Sequence, residues 1–241
     1  MKHARIPALG RRRHRNTCAA MVLACATAGC AGSNPWKTPR MPWDTSEAAA
    51  KTAEKYGPTA DQRIETLSAR AKEAKQTGGA AALAFTEEIA NTMLAEHDPR
   101  VRADILTIAA EFDTPAALAI CRGAMEDPAD RVRLLACDVW GRRGGGEAVK
   151  LLAHRYETDA EIDVRLRAVR RLGEVKDKTA IPVLAKALED GDPAIQYRAV
   201  AALKQVTGRD LGDDVNKWRA WVADPESEPE WSIAEAFRRV F

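Results

Sequence analysis

The chain has 241 residues, of which 46% are apolar and 30% charged, a composition that excludes a disordered or fibrous protein. Aromatic residues make up only 5% and alanine is abundant, which favours closely packed helices over sheets. The net charge of +2 hides a division: Lys2, Arg5, Arg11, Arg12, Arg13 and Arg15 crowd an acid-free stretch over 1–30, leaving 31 basic against 35 acidic residues for the remainder. A body of that sign lacks the basic excess that phosphate-backbone binding needs, so no nucleic acid is expected as a partner.

The first 30 residues fall into three zones: a basic stretch at Arg11 to Arg15, an apolar run from Thr17 to Ala28, and small residues ahead of Cys30. The run is too short to cross a bilayer core, which takes about 20 residues. This order predicts an export signal over 1–29. The Ala28-Gly29-Cys30 end resembles a bacterial lipoprotein signal, which implies a diacylated Cys30 as the new N-terminus and attachment to the lipid bilayer. In such lipoproteins an alanine at the position of Ala31 implies outer-membrane sorting, facing the periplasm. Thr27 departs from the usual aliphatic residue, Val22-Leu23-Ala24-Cys25 is a rival box, and an ordinary cleaved signal or an uncleaved anchor stays open. Residues 30–58, with Pro35, Pro39, Pro42 and Pro58, read as a tether holding one weak helix over 47–55.

From residue 59 the pattern is helical throughout. Ile64, Leu67, Ala71 and Ala74 form one stripe, and Phe85, Ile89 and Met93 form the next after the Gly78-Gly79 break. Then Val101-Arg102, Val132-Arg133, Val164-Arg165 and Ile195-Gln196 recur at spacings of 31, 32 and 31. Four residues beyond each stand Ile105, Ala136, Ala168 and Ala199, and eight beyond stand Ala109, Trp140, Leu172 and Leu203. A second helix follows with Ala117, Ala148 and Ala180, then Cys121, Leu152 and Leu184, then Met125, Tyr156 and Leu188. Asp98-Pro99, Asp127-Pro128 and Asp192-Pro193 are expected to cap the helices they precede. The fold expected over 59–224 is all-α: an α-solenoid of stacked antiparallel helix hairpins, about four to five of them, in which stacking supplies the core. Trp218, Trp221 and Val222 suggest a last helix closing the array. Residues 225–241 form an acidic link and an amphipathic helix opened by the Ser232–Glu235 capping box, with Ile233, Phe237, Val240 and Phe241 on one face. Two fates stay open for that face: folding back near Trp218 or Trp221, or docking on a partner.

These units resemble HEAT repeats of the short kind also found in phycobilin lyases, most clearly at Asp163-Val164-Arg165, Ala168 and Leu172-Gly173. The resemblance covers about residues 97–205, with 60–96 as a degenerate first repeat. It implies a protein-binding scaffold, with a lyase-like or chaperone-like role in cofactor attachment, or a purely structural envelope role, as alternatives. The His-Glu pairs of iron-binding HEAT hydroxylases are absent.

No catalytic constellation is found, and neither a cofactor nor a metal is expected. The glycine-rich Gly141 to Gly146 lacks a Gly-Lys-Ser/Thr ending and reads as an inter-helix turn. Arg102, Arg133 and Arg165 read as rungs that pair with an aspartate of their own or the next repeat, ahead of a ligand-binding ladder. Cys121 and Cys137 read as buried thiols ahead of a disulfide. Arg167, Arg170 and Arg171 share one face, either a solvated one or part of a basic groove. The candidate partner surface is Lys150, His154, Arg155 and Lys186 on second helices, with Trp218 and Trp221 at the end; the expected partner is a protein.

Overall fold

The computed structural model describes Glu54, Lys55 and residues 57–225. Cys30, most of the tether and the amphipathic helix after Pro225 lie outside the described residues. Those described hold ten α-helices: α1 (Ala60–Thr77), α2 (Gly79–Ala95), α3 (Pro99–Ala109), α4 (Pro115–Gly123), α5 (Asp130–Arg143), α6 (Gly145–Thr158), α7 (Ile162–Val175), α8 (Ile181–Leu188), α9 (Pro193–Thr207) and α10 (Val215–Ala223). They form five successive hairpins, with 3-10 turns at Ala124–Glu126 and Lys178–Ala180. Each first helix packs on the first helices of its neighbours, so the all-helical stack expected from the 31-residue period is the fold observed.

Local chemistry sets the boundaries. Thr59 and Gln62 close a capping box on α1, Asp98 caps α3, Thr114 caps α4, and Asp192 caps α9. Proline opens α3, α4 and α9, where its missing N–H has no intrahelical partner to lose. Asp127 breaks the expected pattern: α5 is capped at Ala129, without a side-chain bond, and Asp127 lies outside the helix. It belongs to a different column, described below. Two hairpins turn at the same glycine corner. Gly78 and Gly144 sit at φ 68° and 69°, left-handed backbone that a side chain would strain. The Gly141 to Gly146 segment is therefore split, with Gly141 inside α5 and the turn at Gly144-Gly145.

The columns read from the sequence are the core. Val132, Val164 and Ile195, then Ala136, Ala168 and Ala199, then Leu172 and Leu203, are all fully buried, as are Ala117, Ala148 and Ala180 on the second helices. The small column lets first helices approach closely. The limit is reached at Gly173, where a Cβ would stand 2.6 Å from Ala202 Cα. Trp140 fills the space between hairpins and donates its Nε1–H to the Cys121 carbonyl at 3.0 Å, so a large buried ring leaves no orphan polar group. Cys121 and Cys137 are free and buried. Burial pushes both thiols up, Cys137 to about 12.

The fifth hairpin differs. Its connection runs over 208–214, and Lys204 reaches across to Asp213 at 2.7 Å and Asp210 at 3.0 Å. Trp218 is fully buried, donates to the Gly212 carbonyl at 2.9 Å, and meets Trp221 edge-on with centroids 5.7 Å apart.

Gly173→Ala should therefore destabilise the array by about 1–3 kcal/mol through overpacking against the α9 backbone. Gly146→Ala, in α6 with open space around its Cβ position, should be neutral or slightly stabilising. Thermal melts of the two variants decide it; equal midpoints would mean that α7 and α9 are not in close contact.

Candidate functional site

The recurrent arginines make ladders. Arg102 grips Asp127 through two bonds of 2.8 Å, Arg133 grips Asp159 at 2.7 and 2.9 Å, and Arg165 bonds Asp190. Each arginine also donates backward to backbone carbonyls: Arg102 to Glu96 and His97, Arg133 to Asp127 and Pro128, and Arg165 to Tyr156. Each aspartate in turn accepts a backbone N–H two residues on, from Ala129, Glu161 and Asp192. The first hairpin has the same rung in altered letters, Arg63 to Glu96 at 2.5 Å, with Glu96 accepting from Asp98 N–H. Glu96, Asp127, Asp159 and Asp190 are thus one column, at spacings of 31, 32 and 31. Asp127 is the rung acid of the second junction, and Asp98 and Asp192 are caps two residues further on in theirs. Gln196, at the arginine position of α9, ends the series by donating to the Asp190 carbonyl at 2.6 Å.

The second helices carry another set of links between hairpins. Arg122 meets Glu147 at 2.5 Å, Arg155 meets Glu126 at 2.8 Å, Lys186 meets Glu157 at 2.9 Å and Arg219 meets Glu189 at 2.8 Å. Of the sequence candidates, Lys150, His154 and Lys186 are exposed, with His154 Nε2 3.6 Å from Glu126. Arg155 is only 6% exposed and is held by Glu126 and Asp159, so its guanidinium is not presented outward. Trp218 and Trp221 are buried in the last hairpin. Half of that candidate surface is therefore interior. A signal existed for Arg155: one repeat earlier and one repeat later, its column holds Ala124 and Ala187, both buried.

The first helices present a different feature. Leu134 of α5, Asp163, Leu166, Arg167 and Arg170 of α7, and Arg198 of α9 line a shallow hollow of about 270 Å³. Arg167 and Arg171 converge on Asp138 at 2.6 and 2.8 Å, and Arg170 is bound to Glu174. Arg198 is exposed and has no ion pair or hydrogen bond among the described residues. Among the described residues, no group of histidine, cysteine and carboxylate side chains is arranged to hold a metal ion.

The description "HEAT repeats" matches residues 86–162 and 155–236, more than half of the chain. The chain belongs to the HEAT-repeat family. No curated protein matches it. In this HEAT array the rungs are structural. Burial alone pushes the Asp127 and Asp159 carboxyls up, but the Arg102 and Arg133 guanidinium groups and the capped N–H groups outweigh burial and hold both below the ordinary range.

Groups lowered in the folded state contribute stability that is complete above their unfolded value of 3.8 and is lost as pH falls through the lower folded values. The melting temperature of the HEAT array should hence drop steeply below about pH 4. Asp159→Ala leaves Arg133 without its partner and should cost about 3–5 kcal/mol at neutral pH. Its acid limb should also be shallower than that of the native chain; an equally steep limb would place the titrating group elsewhere.

Proposed function

We propose that this HEAT array is a lipid-tethered scaffold of the cell envelope that binds a protein through the outward face of its first helices. The observation that carries the binding reading is the hollow of Leu134, Leu166 and Arg198. In a mostly charged lining it sets two half-buried leucines beside the guanidinium of Arg198, which has no ion pair among the described residues, and arginine beside apolar side chains is a combination that protein interfaces favour. A partner with a carboxylate beside an apolar side chain fits that chemistry. The second-helix face is a weaker candidate, because Lys186 and Arg155 are already neutralised by Glu157 and Glu126. The tether is supported by the tripartite leader that ends at Cys30, and its small-residue context is what favours acylation and an outer-membrane address. We read the protein as non-catalytic, since Cys121 and Cys137, the cysteines among the described residues, are buried and the rung carboxylates are engaged by arginine.

Affinity purification from solubilised membranes tests both halves. The full chain should retain a stoichiometric protein partner, and Arg198→Glu with Leu166→Asp should lose it while Lys150→Glu keeps it. Loss with Lys150→Glu alone would move the site to the second helices. Cys30→Ser should leave the chain soluble or as an uncleaved precursor; normal processing with continued membrane fractionation would put the anchor elsewhere.

A further inference from the structure

We propose that the hollow on the first helices takes a second copy of this chain, through the outer face of that copy's α2. This occupant deepens the binding reading given to the hollow above, and it rests on that reading. Among the described residues, the large apolar side chains that stand exposed are Leu83 at 46%, Leu94 at 86%, Ile162 at 38% and Tyr197 at 62%. They gather in two patches, whereas ordinary surface apolar residues are scattered singly. Leu83 and Leu94 lie on α2, eleven residues apart and so on one face. Glu87 stands between them, exposed and without an ion pair among the described residues. Ile162 and Tyr197 flank the hollow, Ile162 one turn before Leu166 on α7 and Tyr197 beside Arg198 on α9.

The two patches are complementary in charge. The lining of the hollow holds three arginines against one acid, Asp163, a net of +2. The α2 helix holds Glu87 and Glu88 and no basic residue, a net of −2. Asp138 and Glu174 already hold Arg167 and Arg170, and Arg70 holds Glu88, which leaves Arg198 and Glu87 to meet. The dimensions agree as well. Leu83 and Leu94 are about 16–17 Å apart at a helical rise of about 1.5 Å per residue. From Leu134 on α5 to Tyr197 on α9 is two helix spacings, about 16–20 Å. With Leu83 against Tyr197, Leu94 falls over Leu134, and Glu87, one turn from Leu83, falls beside Arg198.

One chain cannot join its own two patches. The α2 helix belongs to the first hairpin and α9 to the fifth, four helix spacings or about 32–40 Å away along the stack. Nor does either patch suit its own counterpart across a two-fold axis, where Glu87 would meet acids and Arg198 would meet arginines. The contact is therefore heterologous. A copy that docks its α2 keeps its own hollow open for a third, so copies add in a row unless the row closes on itself.

The test uses two forms of the full chain with different affinity tags, co-expressed and extracted in detergent. Capture of one form should bring the other with it. Glu87→Arg in both forms, or Arg198→Glu in both, should cut that co-capture at least about tenfold, because each change sets like charges together. Pairing a Glu87→Arg form with an Arg198→Glu form should restore it, which misfolded variants would not do. Unchanged co-capture in both variants, or a loss that the mixed pair does not restore, overturns the proposal. So does a native chain that captures no second copy. If that chain instead holds a different protein, lost on Arg198→Glu with Leu166→Asp, the binding reading of the hollow stands without self-docking. Capture of neither overturns both.

Discussion

Every feature of this array follows from how closely its first helices approach. Ala136, Ala168 and Ala199 leave no bulk between neighbouring helices, and Gly173 brings the backbone of α9 within the distance at which even a methyl would collide. Such an approach fixes the rotation and rise of one hairpin on the next, because close-packed interiors do not slide. The large residues can then only sit further along, at Trp140, Leu172 and Leu203, or on the second helices, at Leu152 and Leu184, where the space widens. No hairpin buries both its faces alone, so each position in the column pattern is a statement about a neighbour.

The charge rungs refine that stack more than they hold it together. An exposed pair contributes little, whereas Arg102–Asp127 and Arg133–Asp159 are mostly shielded and satisfied on every side. Each aspartate serves two elements at once, taking an arginine from the preceding first helix and a backbone N–H at the next junction. The link therefore sets the angle at which the chain enters the following hairpin. The Glu-based pairs on the second helices add a looser series, with both partners largely in water at Arg122–Glu147 and Lys186–Glu157.

The repeat period, the core columns and the closing helix at Trp218 were legible in the sequence because stacking repeats the same apolar letters. The rung acids were not. They stand 25 or 26 residues beyond their arginines, across a whole second helix, and an aspartate before proline reads as a helix cap wherever it occurs. At Asp98 and Asp192 that reading holds, and at Asp127 it gives the wrong element. Arg155 misled for a related reason: charge suggested a surface, while its neighbours in the column, Ala124 and Ala187, are interior. The hollow at Leu134 and Leu166 was hidden too, since half-exposed leucines on a first helix look like core until the neighbouring helices are in place.

Cys121 and Cys137 lie at the centre of this packing, one beneath Trp140 and the other beside the Asp138 cluster, and neither thiol is ionised or reachable while the helices are closed. Their chemistry is consequently a property of the open chain. In an oxidising surrounding, each opening of the array exposes two sulfurs that reclosure must hide before an oxidant finds them. A sulfur oxidised in that interval becomes too large and too polar for a site that has no spare room. Folding would then be reversible only on a clock set by the oxidant, and wear of the protein would register as a covalent mark in its core.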